Sequence, residues 1–346
     1  MSSEADYPTD LRATGRLAAR IAPMPETSTA KRRRTTPATR AKTVGELVAW
    51  AERRLARAPL HYGHGTDNPL DEAGALVFHA LGIRHDEAPG AYRRCVQPEA
   101  VRLAVELVTR RIRERVPSAY LTGRTWFAGH EIEVTPDVLV PRSPIAELCE
   151  SGFEPWIDPG RVGRVLDIGT GSGCIAIACA HAFPDARVDA ADVSPAALQV
   201  ARRNIHAHGL GKRVRAVLSD VYEGIGATRY DIIVSNPPYV SEAEMRALPS
   251  EYRREPALGL VAGLRGLDVV ERILEHAVDH LRPRGILVVE VGDSERRVRE
   301  AWPDVPFTWL EFERGGGGVF LLSAAQVKRH RTDFLRATDK GAGHVR

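Results

Sequence analysis

The feature that most constrains the fold lies in residues 164–192. Arg164-Val165-Leu166-Asp167-Ile168 reads as a buried strand, Gly169, Gly171 and Gly173 interrupt it at alternate positions, and an apolar stretch resumes as a helix. Further strand-like runs follow at Arg187–Asp192, Val214–Ser219, Asp231–Ser235 and Ile286–Val291. Between them lie helical patterns. One opens on Ser194 as N-cap with Pro195 at the first helical position, and another carries Leu267, Val270, Leu274, Ala277, Val278 and Leu281 along one face. Alternation of this kind implies an α/β fold with a doubly wound, parallel sheet. After Val291 the pattern changes to Phe307–Phe312 and Val319–Ser323 around four consecutive glycines, which reads as a closing hairpin.

Upstream the chain is different. Thr43-Val44-Gly45-Glu46 has the spacing of a capping box, and Leu47, Val48, Trp50, Ala51 and Leu55 follow at helical spacing. A loop from His61 to Pro69 leads to a second helix that stops near Gly82, and a third runs from about Pro98 to Arg115. Residues 119–140 then carry Trp126, Phe127, Ile132, Val134, Val138 and Val140 in short strand-like runs. The expected organisation is a small helical domain over 43–118, a β-hairpin linker over 119–142 and the α/β domain over 143–323.

The two ends are basic. Residues 1–42 hold nine Lys/Arg against four Asp/Glu, and 324–346 hold six against two, so the net charge of +3 leaves the body at −6. The front is rich in Ser, Thr, Pro and Arg, and both ends are expected to be disordered tails. Their charge also suits contact with a phosphate-rich partner such as ribosomal RNA. No apolar run approaches the ~18 residues of a membrane span, and no signal-peptide pattern opens the chain, so a cytoplasmic protein is expected. Cys95, Cys149, Cys174 and Cys179 form no C-x-x-C pair and are expected to be buried, reduced thiols. His61 and His64 lack a third nearby ligand, so no metal is expected.

A glycine loop alone suits a dinucleotide, another nucleotide-like ligand or merely a tight turn. Asp192 narrows the choice. It lies 19 residues after Gly173, at the end of the second strand of the α/β domain, where a carboxylate can accept from both ribose hydroxyls. Asp189, within that strand, is less well placed. Asp167 puts a negative charge before the first glycine, which suits an ammonium or sulfonium and would repel a pyrophosphate. Asp220 and Val221 close the third strand, where an acid can bind an adenine amino group and an apolar side chain can cover the ring. Together these favour S-adenosylmethionine over a nicotinamide dinucleotide.

Ser235-Asn236-Pro237-Pro238-Tyr239 follows the fourth strand directly. Its chemistry suits a planar NH₂ conjugated to a π system. The Asn236 side-chain oxygen and the Pro237 carbonyl can each accept one N–H and aim the nitrogen lone pair. The two prolines stiffen the loop, and Tyr239 offers a flat face.

With these residues in place, the chain resembles a known family. LDIGTGSGC, ADVSPAAL and SNPPYV are similar to the glutamine-N5 methyltransferases that modify release factors and ribosomal proteins, over about residues 43–323. The resemblance implies a helical substrate-recognition domain, a hairpin linker and a seven-stranded, Rossmann-like methyltransferase sheet. It implies that Asn236, Pro237, Pro238 and Tyr239 hold the glutamine. Gly169, Thr170, Gly171, Ser172, Gly173, Asp192 and Val221 match cofactor-contacting positions. The release-factor enzymes usually carry P-R-P-x-T-E before the first sheet strand, whereas this chain reads Val140-Pro141-Arg142-Ser143-Pro144-Ile145-Ala146-Glu147. That segment, with GHGTDNPLDEA at 63–73 and LPSEYRREPALGLVAGLRGLD at 248–268, is similar to the branch that methylates large-subunit ribosomal protein L-three. Arg142 and Glu147 are expected either to orient the linker or to form a plain ion pair.

Three alternatives stay open on the sequence. The substrate can be a release factor instead. An adenine amino group, as in N6-adenine methylation of nucleic acid, presents the same planar NH₂, although the acidic body disfavours it. A non-catalytic ribosome-binding role is the third.

Overall fold

The computed structural model describes residues 38–84 and 87–335. The basic run Lys31–Arg34, most of the front and residues 336–346 lie outside the described residues. The chain forms two compact units that divide between Glu114 and Arg115.

The first unit is helical: α1 (Val44–Leu55), α2 (Pro69–Leu81), the short α3 (Ala88–Ala91) and α4 (Pro98–Glu114). Thr43 caps α1 through its side chain, but the box closes differently from the expected one. The Glu46 carboxylate reaches past Thr43 to accept from the Lys42 N–H at 2.7 Å. Asn68 caps α2, and Gly82 ends it at φ +63°, a left-handed conformation that glycine adopts without strain. Leu47, Ala51, Leu55, Leu76, Val77, Ala104 and Val108 are fully buried between these helices. Arg111 of α4 and Glu72 of α2 form a buried ion pair at 3.0 Å, and Arg111 also donates to the His61 carbonyl. An ion pair out of water holds only when its remaining donors are satisfied, which the His61 contact helps to do.

The second unit begins with α5 (Ser118–Thr122) and the antiparallel hairpin β1 (Arg124–Phe127) and β2 (His130–Glu133). Then come α6 (Ile145–Glu150), β3 (Arg164–Ile168), α7 (Cys174–Ala182), β4 (Arg187–Asp192), α8 (Pro195–Ala207), β5 (Val214–Leu218) and β6 (Tyr230–Ser235). The chain continues through α9 (Glu242–Ala247), α10 (Asp268–His280), β7 (Leu281–Glu290), α11 (Glu295–Ala301), β8 (Thr308–Leu310), β9 (Val319–Ser323) and α12 (Ala324–Arg329). Seven strands form one sheet in the order β5-β4-β3-β6-β7-β9-β8. The first five are parallel, and β9 runs antiparallel to both β7 and β8. This is the expected doubly wound α/β architecture.

Side chains alternate faces along each strand, so the sheet has two cores. Val165, Ile232 and Val234 face α6, α7 and α8. Leu166, Ile168 and Ile233 face α10, α11 and α12. The strand order reverses between β3 and β6, where Ile168 lies beside Ser235 and the Ser235 hydroxyl donates to the Ile168 carbonyl at 2.7 Å. The two loops singled out in the sequence therefore leave the sheet side by side.

The expectation of disordered ends is corrected where the chain is described. Ala38–Arg40 form a 3₁₀ turn with Ala38 buried. Residues 324–335 are helical except at His330: Ser323 and Gln326 form a capping box, and Val327 and Phe334 are buried against the α10–α12 core. Their apolar residues, spaced among charges, supply the burial that the overall basic composition conceals. Of the four cysteines three are buried, but Cys95 is exposed. Among the described residues, no helix is long and apolar enough to cross a membrane.

Candidate active site

A cavity of about 400 Å³ opens at the carboxyl ends of the strands. That volume suits a ligand of nucleotide size. Its wall includes Gly169, Thr170, Gly171, Ser172, Asp192, Asp220, Val221 and the whole Asn236–Tyr239 loop. Gly173 and Asp167 are not part of that wall.

Gly173 caps α7 at φ +84°, and a Cβ there would lie 3.3 Å from Ala201 Cβ; its small size lets α7 and α8 approach. Asp167 shares the parity of Val165, which turns it beneath the loop toward α7. Its Oδ2 accepts from the Thr170 hydroxyl at 2.5 Å and the Ala176 N–H at 3.1 Å. Burial raises its pKa to about 7, against the pull of those two bonds. Its Oδ1 is buried without a hydrogen-bond partner. The expected direct contact with ligand is thus replaced by a carboxylate under the floor that fixes the glycine loop.

Asp192 sits where expected. Its Oδ2 accepts from Gly171 N–H and its Oδ1 from Ser194 N–H, both at 2.8 Å. A carboxylate has about four lone-pair positions, so these bonds orient it and leave capacity for hydroxyl donors. Burial raises its pKa, partly offset by those N–H groups. Asp189 faces elsewhere, bonded to Arg215 and to the Tyr230 hydroxyl.

At the far side, Asp220 lines the cavity, but its carboxylate is paired with Arg272 at 2.8 Å. Val221 has φ +51°, in the left-handed region, although it is β-branched. Such a conformation costs ~1–3 kcal/mol and persists only where the surroundings enforce it. Here the Ser219 hydroxyl donates to the Val221 carbonyl and accepts from Gly224 N–H. The Val221 side chain is buried at the cavity wall.

The Asn236–Tyr239 loop abuts the glycine loop so closely that a Cβ on Gly169 would lie 3.9 Å from the Asn236 carbonyl. Tyr239 is held at both ends. Its carbonyl accepts from the Ser294 hydroxyl at 2.7 Å, and its own hydroxyl donates to Glu290 at 3.2 Å. Burial and the Glu290 charge keep that hydroxyl protonated, well above its ordinary pKa. Glu290, at the end of β7, also accepts from the Ser143 hydroxyl, and its burial raises its pKa. Ser143 and Arg142 line the cavity as well.

Arg142, expected to act with Glu147, is bidentate to Glu255 at 2.7 and 2.8 Å, and Glu255 also accepts from Val140 N–H. The two residues do not pair with each other; Arg142, on the cavity wall, also donates to the Val140 carbonyl and so ties the linker to Glu255. Glu147 accepts from the backbone N–H groups of Glu313 and Arg314 and pairs with the Arg314 guanidinium. Glu290, Ser143, Glu255 and Arg272 are the residues that the sequence reading missed. Glu290 did leave a signal, a lone acid closing the apolar run ILVVE at the carboxyl end of a strand.

A glycine loop, an acid at the end of the next strand and an Asn-Pro-Pro-Tyr loop at the switch point define a methyltransferase of the doubly wound α/β class. In agreement, residues 155–249 match the methyltransferase small domain family. The chain is 45% identical over 287 residues to the ribosomal protein uL3 glutamine methyltransferase of Bordetella pertussis, covering 83% of this chain and 96% of the relative. It is 45% identical to that of Xanthomonas campestris (83% and 93% covered) and 40% identical to that of Francisella tularensis (86% and 95%). The chain belongs to the ribosomal protein uL3 glutamine methyltransferase family.

Proposed function

We propose that this enzyme uses S-adenosylmethionine to methylate the side-chain amide nitrogen of a glutamine in ribosomal protein uL3, in the cytoplasm. The observation that carries the reading is the shared wall of one cavity: the glycine loop and Asp192 on one side, Asn236–Tyr239 on the other. The cavity also fits the cofactor's chemistry. Asp192 offers acceptors for ribose hydroxyls and Val221 an apolar surface for adenine. Bound there, S-adenosylmethionine supplies an electrophilic methyl group on a sulfonium.

The protein's own part is alignment. The amide nitrogen is a poor nucleophile because its lone pair is delocalised into the carbonyl. Asn236 Oδ1 and the Pro237 carbonyl accept its two N–H groups and turn the lone pair toward the methyl carbon. Methylation leaves a positive charge on the nitrogen, and one of its N–H protons passes to water to restore a neutral amide. Tyr239 covers the planar amide, and Pro237 and Pro238 keep the loop from relaxing. Holding two reactants in this way is worth up to ~7–11 kcal/mol of barrier.

The helical unit is the region proposed to recognise uL3, and the basic ends are proposed to touch ribosomal RNA. Incubation with labelled cofactor and undermodified ribosomal proteins should label uL3, with mass spectrometry placing the methyl on a glutamine amide. Labelling of a release factor in place of uL3 would overturn the substrate assignment, and failure to bind cofactor in calorimetry would overturn the reaction.

A further inference from the structure

Away from the cavity, three histidines from three elements converge on one corner of the second unit. His130 opens β2, His181 lies in the last turn of α7, and His208 caps the C-terminus of α8. Each offers a ring nitrogen within 4.8 Å of those of the other two. The His130 and His181 rings stack at 4.2 Å, and His208 meets both edge-on at 5.7 and 5.6 Å. The three rings lie at the surface, His130 and His208 half-buried and His181 exposed, within reach of an ion from solvent.

We propose that His130, His181 and His208 bind one divalent transition-metal ion of the zinc class, fastening the β1–β2 hairpin to α7 and α8. Imidazole nitrogen is the ligand such ions favour, and three histidines with a water complete a tetrahedron. The supporting shell is already built. His208 Nε2 lies 2.8 Å from the Glu131 carbonyl. Donation of its N–H there leaves Nδ1 with a free lone pair, the arrangement that orients metal-binding histidines. Burial, then the neighbouring rings, lower the pKa of His130 to about 4, and the same causes lower that of His181, so both are neutral ligands at physiological pH. The Arg213 charge near His181 works against a second cation.

Closure requires modest motion. Tetrahedral coordination at about 2.0–2.1 Å places ligand nitrogens ~3.3 Å apart, so the His130–His181 stack must open. His181 is the most exposed of the three. The hairpin is also joined to α8 by the Arg203–Glu133 ion pair and by Asn204, whose side chain accepts from Glu133 N–H and donates to the Glu133 and Ser172 carbonyls. A metal at this corner would therefore stiffen a segment that reaches the glycine loop.

The test is calorimetric titration of the full-length, tag-free chain with zinc chloride after chelator dialysis. One ion per chain is expected, with affinity reduced roughly 10-fold or more in His181→Ala. The exposed position of His181 makes that variant safe to fold, and His130→Ala should behave alike. His61→Ala/His64→Ala should bind as the parent does. At 100-fold excess over the parent's Kd, zinc should raise the parent's Tm by roughly 5–10 °C and that of His181→Ala by about half as much or less. Absence of binding, or binding indifferent to His181 and His130, would overturn the proposal.

Discussion

Gly292 gives the most direct test of whether Tyr239 positions the substrate. It follows β7 at φ +46°, and a Cβ built on it would lie 2.7 Å from Tyr239 Cε2, 2.9 Å from Cζ and 3.1 Å from the hydroxyl oxygen. Ordinary contact begins near 3.4 Å, so Gly292→Ala forces ring and backbone apart by about 0.7 Å. The hydroxyl already reaches Glu290 at 3.2 Å and has little slack. Misplacement by 1 Å costs on the order of 100-fold in rate, so kcat should fall by about 10-fold or more. The left-handed backbone adds ~1–2 kcal/mol of strain, which would lower Tm without bearing on the chemistry. Gly315→Ala separates the two effects. That glycine has φ +84° and nothing within 4 Å of its virtual Cβ, so it carries the strain alone. Steady-state methyl transfer and thermal melting should therefore show both variants destabilised, with only Gly292→Ala slow at saturating cofactor. Equal kcat in the two would refute the positioning role of the Tyr239 ring.

Asn236→Ala should abolish transfer and leave cofactor affinity nearly intact, whereas Asp192→Ala should weaken cofactor binding first; calorimetry beside single-turnover rates distinguishes them. Asp167 makes stability depend on pH. Its folded pKa of about 7 exceeds the ordinary 3.8, so the folded state holds the extra proton between those values. Its contribution is destabilising, absent below about pH 4 and complete above about pH 7, with an upper limit of ~4 kcal/mol. Melting of the free enzyme from pH 5 to 8 should fall less steeply in Asp167→Asn; parallel curves would show that this carboxylate is not the source. Val221→Gly removes a buried side chain but relieves left-handed strain, so it should cost about 1 kcal/mol or less. Val188→Gly, in mid-strand with no strain to relieve, should cost ~3 kcal/mol or more in the same denaturant titration.

Legibility in the sequence followed the range of the interaction. The seven sheet strands, the caps at Thr43 and Ser194 and the stop at Gly82 are set by periodicity and by residues a few positions apart, and all were readable. So was the meeting of the two loops, because strand order in a doubly wound sheet brings them to the same edge. Pairings across more than a hundred residues, such as Ser143–Glu290 and Arg142–Glu255, leave no periodic trace. Asp167 shows a subtler limit. Its place before the first glycine suggested a ligand contact, yet strand parity turns it under α7, and parity shows only once the neighbours of both faces are known. At the C-terminus composition misled: residues 324–335 carry three Lys/Arg and one Asp, but Val327 and Phe334 are buried against the α10–α12 core.

That last helix has a practical consequence. Similarity to the family was recognisable only to about residue 323, and a boundary drawn there would look natural. It would remove Phe334, a side chain that is 1% exposed, and leave an apolar socket open behind α10 and β7. Burial of such a ring is worth about 1.5–3 kcal/mol, a sizeable share of the net stability of any domain. A chain truncated at Ser323 should accordingly be prone to aggregation through that socket, and any affinity handle belongs beyond Leu335.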